Sequence, residues 1–554
     1  MVPTAWRKTR LRPLIDRLKF TPKRQRESAR EREDQAVQGI GQFHPKYHAA
    51  RNPDRPAVIM GGSGEVVTYA ALEAKSNQFA QLLRSRGLQM GDTIALCLEN
   101  RADFFALAWG AQRAGLVYVA VSSRLAAPEI AYIARDSGSR LLIGSAYTAP
   151  VLDEVAKLAP DVAQLRFDTD GPMSLDAALV AMPDIPIADE RAGCDMLYSS
   201  GTTGKPKGVR IPLPEDPEIG AGNSLVAIAN QAFGITGDAV YLSPAPLYHA
   251  APLRWSMTIH RLGGTVVAME KFDPEHALQL IEKYKVTDSQ WVPTHFVRML
   301  KLPDDVRTRY DTSSLKCAIH AAAPCPVPVK QSMIAWWGPV IREYYAGTEG
   351  NGFTFVTSEE WLQRPGTVGR AILGTIRICN EEGDVVPTRH EGQVFFEGGN
   401  PFAYHNDPDK TRDATNKHGW TSLGDVGWMD EDGYLFLTDR KSFMIISGGV
   451  NIYPQEIENL LVTHPKVADV AVIGAPDPDM GEKVVAVVQP RDMAEAGPAL
   501  AAELAEWLGP QLSRVKMPRQ IDFRAELPRE PTGKLFKRLL RDEYKQAHQQ
   551  DAAA

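Results

Sequence analysis

A run of twelve residues, Tyr198 to Val209, constrains this chain more than any other part of its sequence. It reads YSSGTTGKPKGV and follows directly on the short apolar stretch Met196 to Tyr198. Glycine lets successive backbone N–H groups turn into one concavity, which is how many loops hold anions. The Ser and Thr hydroxyls would add hydrogen-bond donors, and Lys205 and Lys207 would add positive charge. The run therefore predicts a loop that grips a polyphosphate.

This loop differs from the common phosphate-binding loop, G-x-x-x-x-G-K-[ST], in which the lysine opens a helix. Here Pro206 follows Lys205, and the Ser or Thr that would hold magnesium in that motif is missing. A flexible surface loop rich in Ser, Thr and Gly is the alternative interpretation. The exact order of the residues favours the functional one.

The same order resembles the signature of the adenylate-forming superfamily: acyl-CoA synthetases, peptide-synthetase adenylation domains and beetle luciferases. The chain is most similar to bacterial-type acyl-CoA synthetases, from about residue 44 to the C-terminus. The resemblance implies that a carboxylate attacks the α-phosphorus of ATP, releasing pyrophosphate and leaving an acyl-adenylate. A thiol, usually that of CoA, then displaces AMP. Positive charge and hydrogen-bond donors must offset the negative charge that builds up in such transition states.

The resemblance also assigns the nucleotide-binding residues. HAAAP from His320 would lie beside adenine, YYAGTEG from Tyr344 would stack on adenine and contact the α-phosphate, and TSLGDVG from Thr421 would hold the ribose. The residues that the resemblance assigns to ATP and AMP are Ser199, Ser200, Gly201, Thr202, Thr203, Gly204, Lys205, Lys207, Ala322, Ala323, Pro324, Tyr345, Ala346, Thr348, Asp425, Arg440 and Lys534. Ala346 stands where the family usually has glycine.

Four residues are assigned to catalysis by the same comparison of motifs. Lys534, in LPREPTGKLFKR, matches the family's C-terminal catalytic lysine and would stabilise charge where the carboxylate meets the α-phosphate. Glu349 would hold magnesium together with phosphate oxygens and water. Thr203 belongs to the phosphate loop, and His249, in PAPLYHA, would stand at the entrance of the acyl pocket. A lone histidine is more often a structural hydrogen-bonding group, so His249 is given a positional role.

The sequence predicts an α/β protein with two domains. From residue 44 onward, short strands alternate with helices, which is typical of largely parallel sheets covered by helices. After Thr438 the pattern changes to that of a small α+β unit. We expect a basic extension over 1–43, a large adenylation domain over 44–439 and a mobile cap over 440–554, with the hinge at about 439–442.

The cap would present a second face for the thiol. Ser447, Gly448 and Gly449 would offer a bare backbone to the pantetheine arm of CoA after a rotation about the hinge. Ser442 occupies the hinge position, where the family usually has Lys or Asp. With Lys534 on the other face of the cap, the sequence contains candidate residues for both half-reactions.

Composition excludes several classes of protein. The net charge of −6 argues against a general nucleic-acid binder, and the five scattered cysteines indicate a reducing compartment without a disulfide framework or zinc site. No apolar run is long enough to span a membrane, so a cytoplasmic enzyme is expected. Residues 1–34 nevertheless hold eleven Lys and Arg against five Asp and Glu. This segment would pack on the parent domain or form a loose arm; contact with an anionic membrane is the alternative.

The sequence thus predicts an ATP- and magnesium-dependent carboxylate–CoA ligase, with a homodimer as an open alternative to the monomer. The resemblance places the acyl pocket around His249, Ala321–Ala323 and residues such as Asn351 and Gly352. The alanines and the glycine there indicate space without a charged anchor, which favours a fatty, aryl or sterol side-chain acid. Two rivals remain: an enzyme that loads a separate carrier protein, and a nucleotide-binding protein without turnover. A luciferase-type oxygenase is more remote. Activity with free CoA separates the first rival, and Lys534 and Glu349, both present, argue against the second.

Overall fold

The computed structural model describes residues 42–199, 206–440, 443–448, 450–529 and 535–553, with the backbone alone at Ser199, Arg440 and 549–553. Its strands in chain order are β1 (Pro56–Met60), β2 (Val66–Thr68), β3 (Thr93–Cys97), β4 (Val117–Val121), β5 (Ser139–Ser145), β6 (Ala163–Phe167), β7 (Cys194–Ser199), β8 (Lys207–Arg210), β9 (Val240–Ser243), β10 (Thr265–Ala268), β11 (Asp288–Trp291), β12 (Cys317–His320), β13 (Ile341–Glu343), β14 (Phe353–Phe355), β15 (Thr367–Leu373), β16 (Thr375–Cys379), β17 (Gly392–Glu397), β18 (Ala403–Tyr404), β19 (Thr421–Met429), β20 (Leu435–Arg440), β21 (Ile445–Ser447), β22 (Val450–Ile452), β23 (Val467–Asp477), β24 (Gly481–Pro490) and β25 (Gln520–Phe523).

The helices of the described residues are α1 (Pro45–Arg51), α2 (Tyr69–Ser85), α3 (Asp103–Arg113), α4 (Ala127–Asp136), α5 (Ala149–Leu158), α6 (Leu175–Val180), α7 (Ser224–Gln231), α8 (Ala250–Leu262), α9 (Pro274–Tyr284), α10 (Pro293–Leu300), α11 (Asp304–Arg307), α12 (Val327–Trp337), α13 (Ser358–Gln363), α14 (Pro408–Asp413), α15 (Pro454–Leu461), α16 (Pro498–Leu508) and α17 (Lys537–Ala553). Short 3-10 turns occupy Met493–Glu495 and Arg514–Lys516. None of these helices is long and apolar enough to cross a membrane.

Two seven-stranded sheets form the framework of the large part of the chain. Their strand orders are β13-β12-β11-β9-β10-β1-β2 and β18-β8-β7-β4-β3-β5-β6. Most neighbours are parallel, because their strands alternate along the chain with helices that cross over the sheet faces. The predicted α/β class is confirmed.

A single hydrophobic cluster joins these two sheets. It contains nearly the whole of α3, where Phe104, Phe105 and Trp109 are fully buried, and the inner face of α8, including Trp255. Side chains of β1 and β10 meet it from one sheet, and those of β3 and β4 meet it from the other. Helix α8 is therefore fixed between the two sheets.

A third sheet of six strands, in the order β14-β15-β20-β19-β17-β16, is antiparallel throughout. The sequence prediction had no counterpart for it. Its strands lack the regular alternation with helices that identified the other two sheets. Its register matters for the site, because Asp425 in β19 lies opposite Arg440 in β20.

The C-terminal segment forms its own five-stranded sheet, β22-β21-β24-β23 with β25 beside β24. Along β23 the side chains alternate between two cores: Val470 and Val472 pack with α15 and α16, whereas Ala471 and Ile473 pack with Leu540 of α17. Helix α15 begins at Pro454, and proline suits the first turn of a helix. The proposed domain boundaries stay a prediction.

Lys301 of the large part reaches into this C-terminal unit. Its Nζ donates to the carbonyl of Val462, at 3.2 Å, and to that of Val467. Val462 caps the C-terminal end of α15, where unpaired carbonyls favour a cation. Burial, with the nearby Arg491, lowers the pKa of Lys301 to about 8.

Asp288 is a buried carboxyl whose charge is expected to affect the stability of the fold. It lies in β11 with 5% of its surface exposed, and its Oδ2 accepts a hydrogen bond of 2.6 Å from Thr287. Burial raises the pKa of its carboxyl to about 6. The folded protein therefore favours the neutral carboxyl, and this contribution to the free energy of unfolding is lost as pH rises from about 4 to 6. Asp288→Asn is expected to raise the free energy of unfolding by about 2 to 3 kcal/mol at pH 8. Urea denaturation at pH 5 and pH 8 measures the difference.

The control for this prediction is Asp311→Asn. Hydrogen bonds from Ser313 and Lys285 hold the pKa of Asp311 below its usual value, so its charged form is favoured in the folded protein. That replacement should not stabilise the protein at pH 8. An Asp288→Asn protein with unchanged or lower stability at pH 8 would refute the expected destabilisation by the buried charge.

Candidate active site

The structure brings together the predicted adenine and ribose residues. The Oη of Tyr345 donates a hydrogen bond of 2.6 Å to Oδ2 of Asp425, which is 7% exposed. The ring of Tyr345 lies at 6.1 Å from that of Phe396, nearly parallel to it. Arg440 is the backbone neighbour of Asp425 across the β19–β20 ladder. Three residues from three separate motifs thus lie at one end of the antiparallel sheet.

Glu349, the predicted magnesium ligand, is 8% exposed and has a partner that the sequence did not indicate. Tyr404 donates from its Oη to Oε1 of Glu349 at 2.8 Å. Tyr404 belongs to the edge strand β18, which pairs with β8 beside the phosphate loop. No local motif marks this tyrosine; its place depends on a strand pairing between segments distant in sequence.

The flanks of the phosphate loop form an antiparallel pair. Ser199 at the end of β7 lies opposite Lys207 at the start of β8, so the two ends of the loop are held close together. Lys207 makes an ion pair with Asp407 at 3.6 Å. Tyr198 turns its hydroxyl to Asp136 at 2.6 Å. The predicted phosphate-loop residues outside the described part are Ser200, Gly201, Thr202, Thr203, Gly204 and Lys205.

Gly208 keeps this hairpin close to its neighbours. A Cβ atom at this position would lie 3.0 Å from the ring of Tyr198 and 3.2 Å from His405. The carbonyl of Gly208 also accepts a hydrogen bond of 2.7 Å from the backbone of His405. The last glycine of the motif therefore allows close approach between the hairpin and its neighbours.

Arg254, which the sequence analysis did not single out, connects two of the motifs. From α8 its Nε and Nη2 donate to Oδ2 of Asp195 in β7, at 3.0 and 2.7 Å. Its Nη1 donates to the carbonyl of Thr348 at 2.8 Å. Burial opposes the charge of Arg254, but the Asp195 carboxylate outweighs it, and the pKa of Arg254 is raised.

The HAAAP segment combines an exposed turn with a buried base. Ala322 and Ala323 are exposed, and Ala322 has a φ of 75°, a left-handed conformation that costs a residue with a Cβ about 1 to 2 kcal/mol. Pro324 follows in the same turn. Beneath it His320 is fully buried, 3.5 Å from Glu343, whose carboxylate is paired at 2.5 Å with Lys330. Burial, with the charge of Lys330, lowers the pKa of His320 well below its ordinary value, so the histidine is neutral.

His249 lies at the N-terminal end of α8, five residues before Arg254. Its ring is 4.8 Å from that of Tyr248. Asn100 holds the preceding loop: it accepts from the backbone of Leu247 at 2.8 Å and donates to the carbonyl of Ala245 at 3.1 Å. The predicted entrance to the acyl pocket is thus anchored at the junction of the two large sheets.

The predicted CoA-contacting residues lie in the C-terminal unit. Ser447 is 3% exposed, and Gly448 has a φ of 56° and donates its backbone N–H to the carbonyl of Met480 at 2.8 Å. Ile446 and Val450 on either side are exposed. Gly449, the predicted hinge Ser442 and the predicted catalytic Lys534 lie outside the described residues.

Comparison with known proteins identifies the family of this chain. The model of the AMP-binding enzyme family matches residues 46–403, and that of the AMP-binding enzyme C-terminal domain matches 456–534. The chain belongs to the AMP-binding enzyme family. The predicted membership of the adenylate-forming superfamily, on its acyl-CoA synthetase side, is confirmed.

Relatives of this AMP-binding enzyme cover nearly its whole length. It is 33% identical to the long-chain-fatty-acid–CoA ligase FadD13 of Mycobacterium tuberculosis, over 90% of the chain and 97% of that protein. It is 32% identical to the fatty acid–[acyl-carrier-protein] ligase ScoC of Streptomyces coeruleorubidus, over 90% and 95%. The structure of ATP-bound MatB from Rhodopseudomonas palustris superimposes with a TM-score of 0.77 at 28% identity, covering 91% of this chain and 99% of that one. The protein is an AMP-forming acid–CoA ligase, with ATP and CoA as its co-substrates.

Proposed function

We propose that this ligase activates a hydrophobic carboxylic acid with ATP and magnesium and transfers the acyl group to CoA. The observation that carries the proposal is that residues from separate sequence motifs are joined by hydrogen bonds. Tyr345 bonds to Asp425, and Arg254 ties the strand of the phosphate loop to Thr348, next to Glu349. These contacts support the assignment of residues that are far apart in sequence to one nucleotide site.

In the first half-reaction, a carboxylate oxygen of the acid forms a bond to the α-phosphorus of ATP. The bond from that phosphorus to the bridging oxygen breaks, and pyrophosphate leaves. The loop 199–207 would hold the β- and γ-phosphates, Thr348 would contact the α-phosphate, and Lys534 would stabilise the charge between the reacting groups. Tyr345 would stack on adenine while Asp425 and Arg440 bind the ribose.

The donor groups of the described residues fit magnesium rather than a metal held by protein alone. In the described residues no group of three or more His, Cys, Asp or Glu could hold a metal ion. Glu349 is a single hard carboxylate, which is how magnesium is commonly held when phosphate oxygens and water supply the other ligands. Bound with ATP, the ion would neutralise part of the phosphate charge. The Tyr404 hydroxyl would orient the Glu349 carboxylate for binding the magnesium ion.

In the second half-reaction, the sulfur of CoA forms a bond to the acyl carbon of the adenylate. AMP leaves with the electrons of the broken acyl–oxygen bond, and the thiol proton passes to solvent. Ser447, Gly448 and Gly449 would line the approach of the thiol after the cap rotates about Ser442.

The class of acid is inferred from the residues around the predicted pocket. Tyr344 and Phe353, which are next to Tyr345 and Gly352 in the chain, belong to an aromatic cluster of the buried core. The cluster also contains Phe233, Trp255 and Phe355. The ring of Phe233 lies 5.1 Å from Trp255, and Tyr344 stacks on Phe353 at 4.5 Å. A pocket beside this cluster would have an apolar wall, which favours a fatty or aryl acid over one with a second charge. The fatty-acid relatives support the same class.

The proposal is tested by incubating the purified enzyme with ATP, magnesium and a panel of fatty, aryl and dicarboxylic acids, with and without CoA. Masses of the products identify acyl-CoA and AMP. Thioesters of fatty or aryl acids are expected. Acyl-AMP without thioester would favour a carrier protein as acceptor, as the ScoC relative suggests, and turnover of dicarboxylic acids alone would refute the hydrophobic class.

Gly449 tests the proposed CoA face. Gly449→Trp should slow thioester formation from preformed acyl-AMP by about 10²-fold, because the side chain would fill the space of the pantetheine arm. Adenylation, measured by pyrophosphate–ATP exchange, should remain close to that of the wild type. Val450→Trp, at the next and exposed position, is the control. An unaffected CoA step would remove this face from the mechanism.

A further inference from the structure

The side chain of Arg254 bonds to two separate segments of the chain. Two of its N–H groups converge on a single oxygen of Asp195, and the third arm points away to the backbone carbonyl of Thr348. The guanidinium is a rigid planar fork, so these three bonds relate the two partners by a fixed geometry.

Each partner belongs to a different element of the proposed nucleotide site. Asp195 is the second residue of β7, whose last residue, Ser199, opens the phosphate loop. Thr348 and Glu349 are the predicted contacts of the α-phosphate and of magnesium. Helix α8, which carries Arg254, is held in the core through Trp255, whose indole N–H also bonds to Tyr344 at 3.2 Å.

We propose that Arg254 is a positioning residue for adenylation, setting the distance between the phosphate loop and the Thr348–Glu349 segment. This inference rests on the proposed function. The β- and γ-phosphates would be held from one segment and the α-phosphate from the other, so any slack between the segments would misalign the phosphorus with the attacking carboxylate. The second half-reaction, in which pyrophosphate has already left, has no such requirement.

The Arg254–Asp195 ion pair is largely shielded from solvent, which helps to keep its geometry fixed. Asp195 is 8% exposed, and the Arg254 side chain is about one-fifth exposed. Glu349 lies close enough to contribute to the charge balance of Arg254. Lysine could keep the charge opposite Asp195, but its single ammonium cannot reproduce two bonds to one oxygen of Asp195 and a third to Thr348.

The experiment compares the two half-reactions in Arg254→Lys, Arg254→Ala and the control Arg377→Ala. Arg377 uses the same two nitrogens on one oxygen of Glu397, at 2.9 and 2.7 Å, but it lies in the antiparallel sheet at β16. Both Arg254 variants should lose about 10²-fold in kcat for pyrophosphate–ATP exchange. Their conversion of synthetic acyl-AMP and CoA to thioester should change little. Arg377→Ala should affect neither step.

Added guanidinium chloride should restore part of the exchange activity of Arg254→Ala, whereas sodium chloride at the same concentration should not. A protein that had merely lost stability would not recover in this way. Full exchange activity in Arg254→Lys, or equal losses in both half-reactions, would overturn the inference while leaving the proposed function intact. A wild-type enzyme that shows no exchange with any acid would overturn the proposed function, and this inference with it.

Discussion

Replacing Lys534 by alanine is expected to slow adenylation by about 10² to 10³-fold while leaving thioester formation from preformed acyl-AMP nearly unchanged. The lysine would supply positive charge at the α-phosphate only while the carboxylate attacks it. Once the adenylate exists, the cap would present its other face, and the ammonium would have no partner in the transition state. Pyrophosphate–ATP exchange measures the first step, and acyl-CoA formation from synthetic acyl-AMP measures the second.

Lys545→Ala is the control for Lys534. It removes an exposed lysine of helix α17 in the same C-terminal unit, and neither half-reaction should respond. A Lys534→Ala enzyme that lost both steps equally would not support the assigned role. Such a result would point to folding of the cap or to its attachment as the function of this residue.

Glu349→Gln is expected to have the second largest effect. The replacement keeps the size of the side chain and an oxygen that can accept from Tyr404, but it removes the charge proposed to hold magnesium. Adenylation at a fixed low magnesium concentration should fall by about 10²-fold, and the concentration of magnesium needed for half-maximal exchange should rise. Magnesium titrations of pyrophosphate–ATP exchange give both quantities.

Tyr404→Phe separates orientation of the carboxylate from its charge. It deletes only the hydroxyl that bonds to Oε1 of Glu349, so the apparent magnesium affinity should fall by about 10-fold, less than in Glu349→Gln. Thermal unfolding of both variants checks that the packing around β18 is kept. An unchanged magnesium dependence in Glu349→Gln would contradict the assignment of the metal to this residue.

The positions of many elements were predictable from local pattern. The sequence pattern predicts strands over 117–121, 265–268 and 317–320 and helices over 127–136 and 274–284. These are the bounds of β4, β10, β12, α4 and α9. They are short apolar runs or amphipathic stretches with clear ends, such as the proline at the start of α9. The antiparallel sheet was not predicted, because the pairing of β15 with β20 depends on contacts between segments that are distant in the sequence.

Some residues of the proposed site can likewise be identified from the sequence, whereas others are revealed only by the structure. Tyr345, Thr348, Glu349 and Asp425 stand in compact motifs whose residue order identifies them. Arg254, Tyr404 and Asn100 lie outside any such motif. Each acts through a partner at least fifty residues away in the chain, so only the folded structure reveals it.

The sequence by itself determined the superfamily, the α/β class and the identity of the motif residues. Those properties depend on residue type and local order, which the chain carries without folding. Only the tertiary structure decided which motifs meet and what holds them in place. The pairing of Asp425 with Tyr345 and the three bonds of Arg254 arise from sheet register and helix packing, which depend on the whole chain at once.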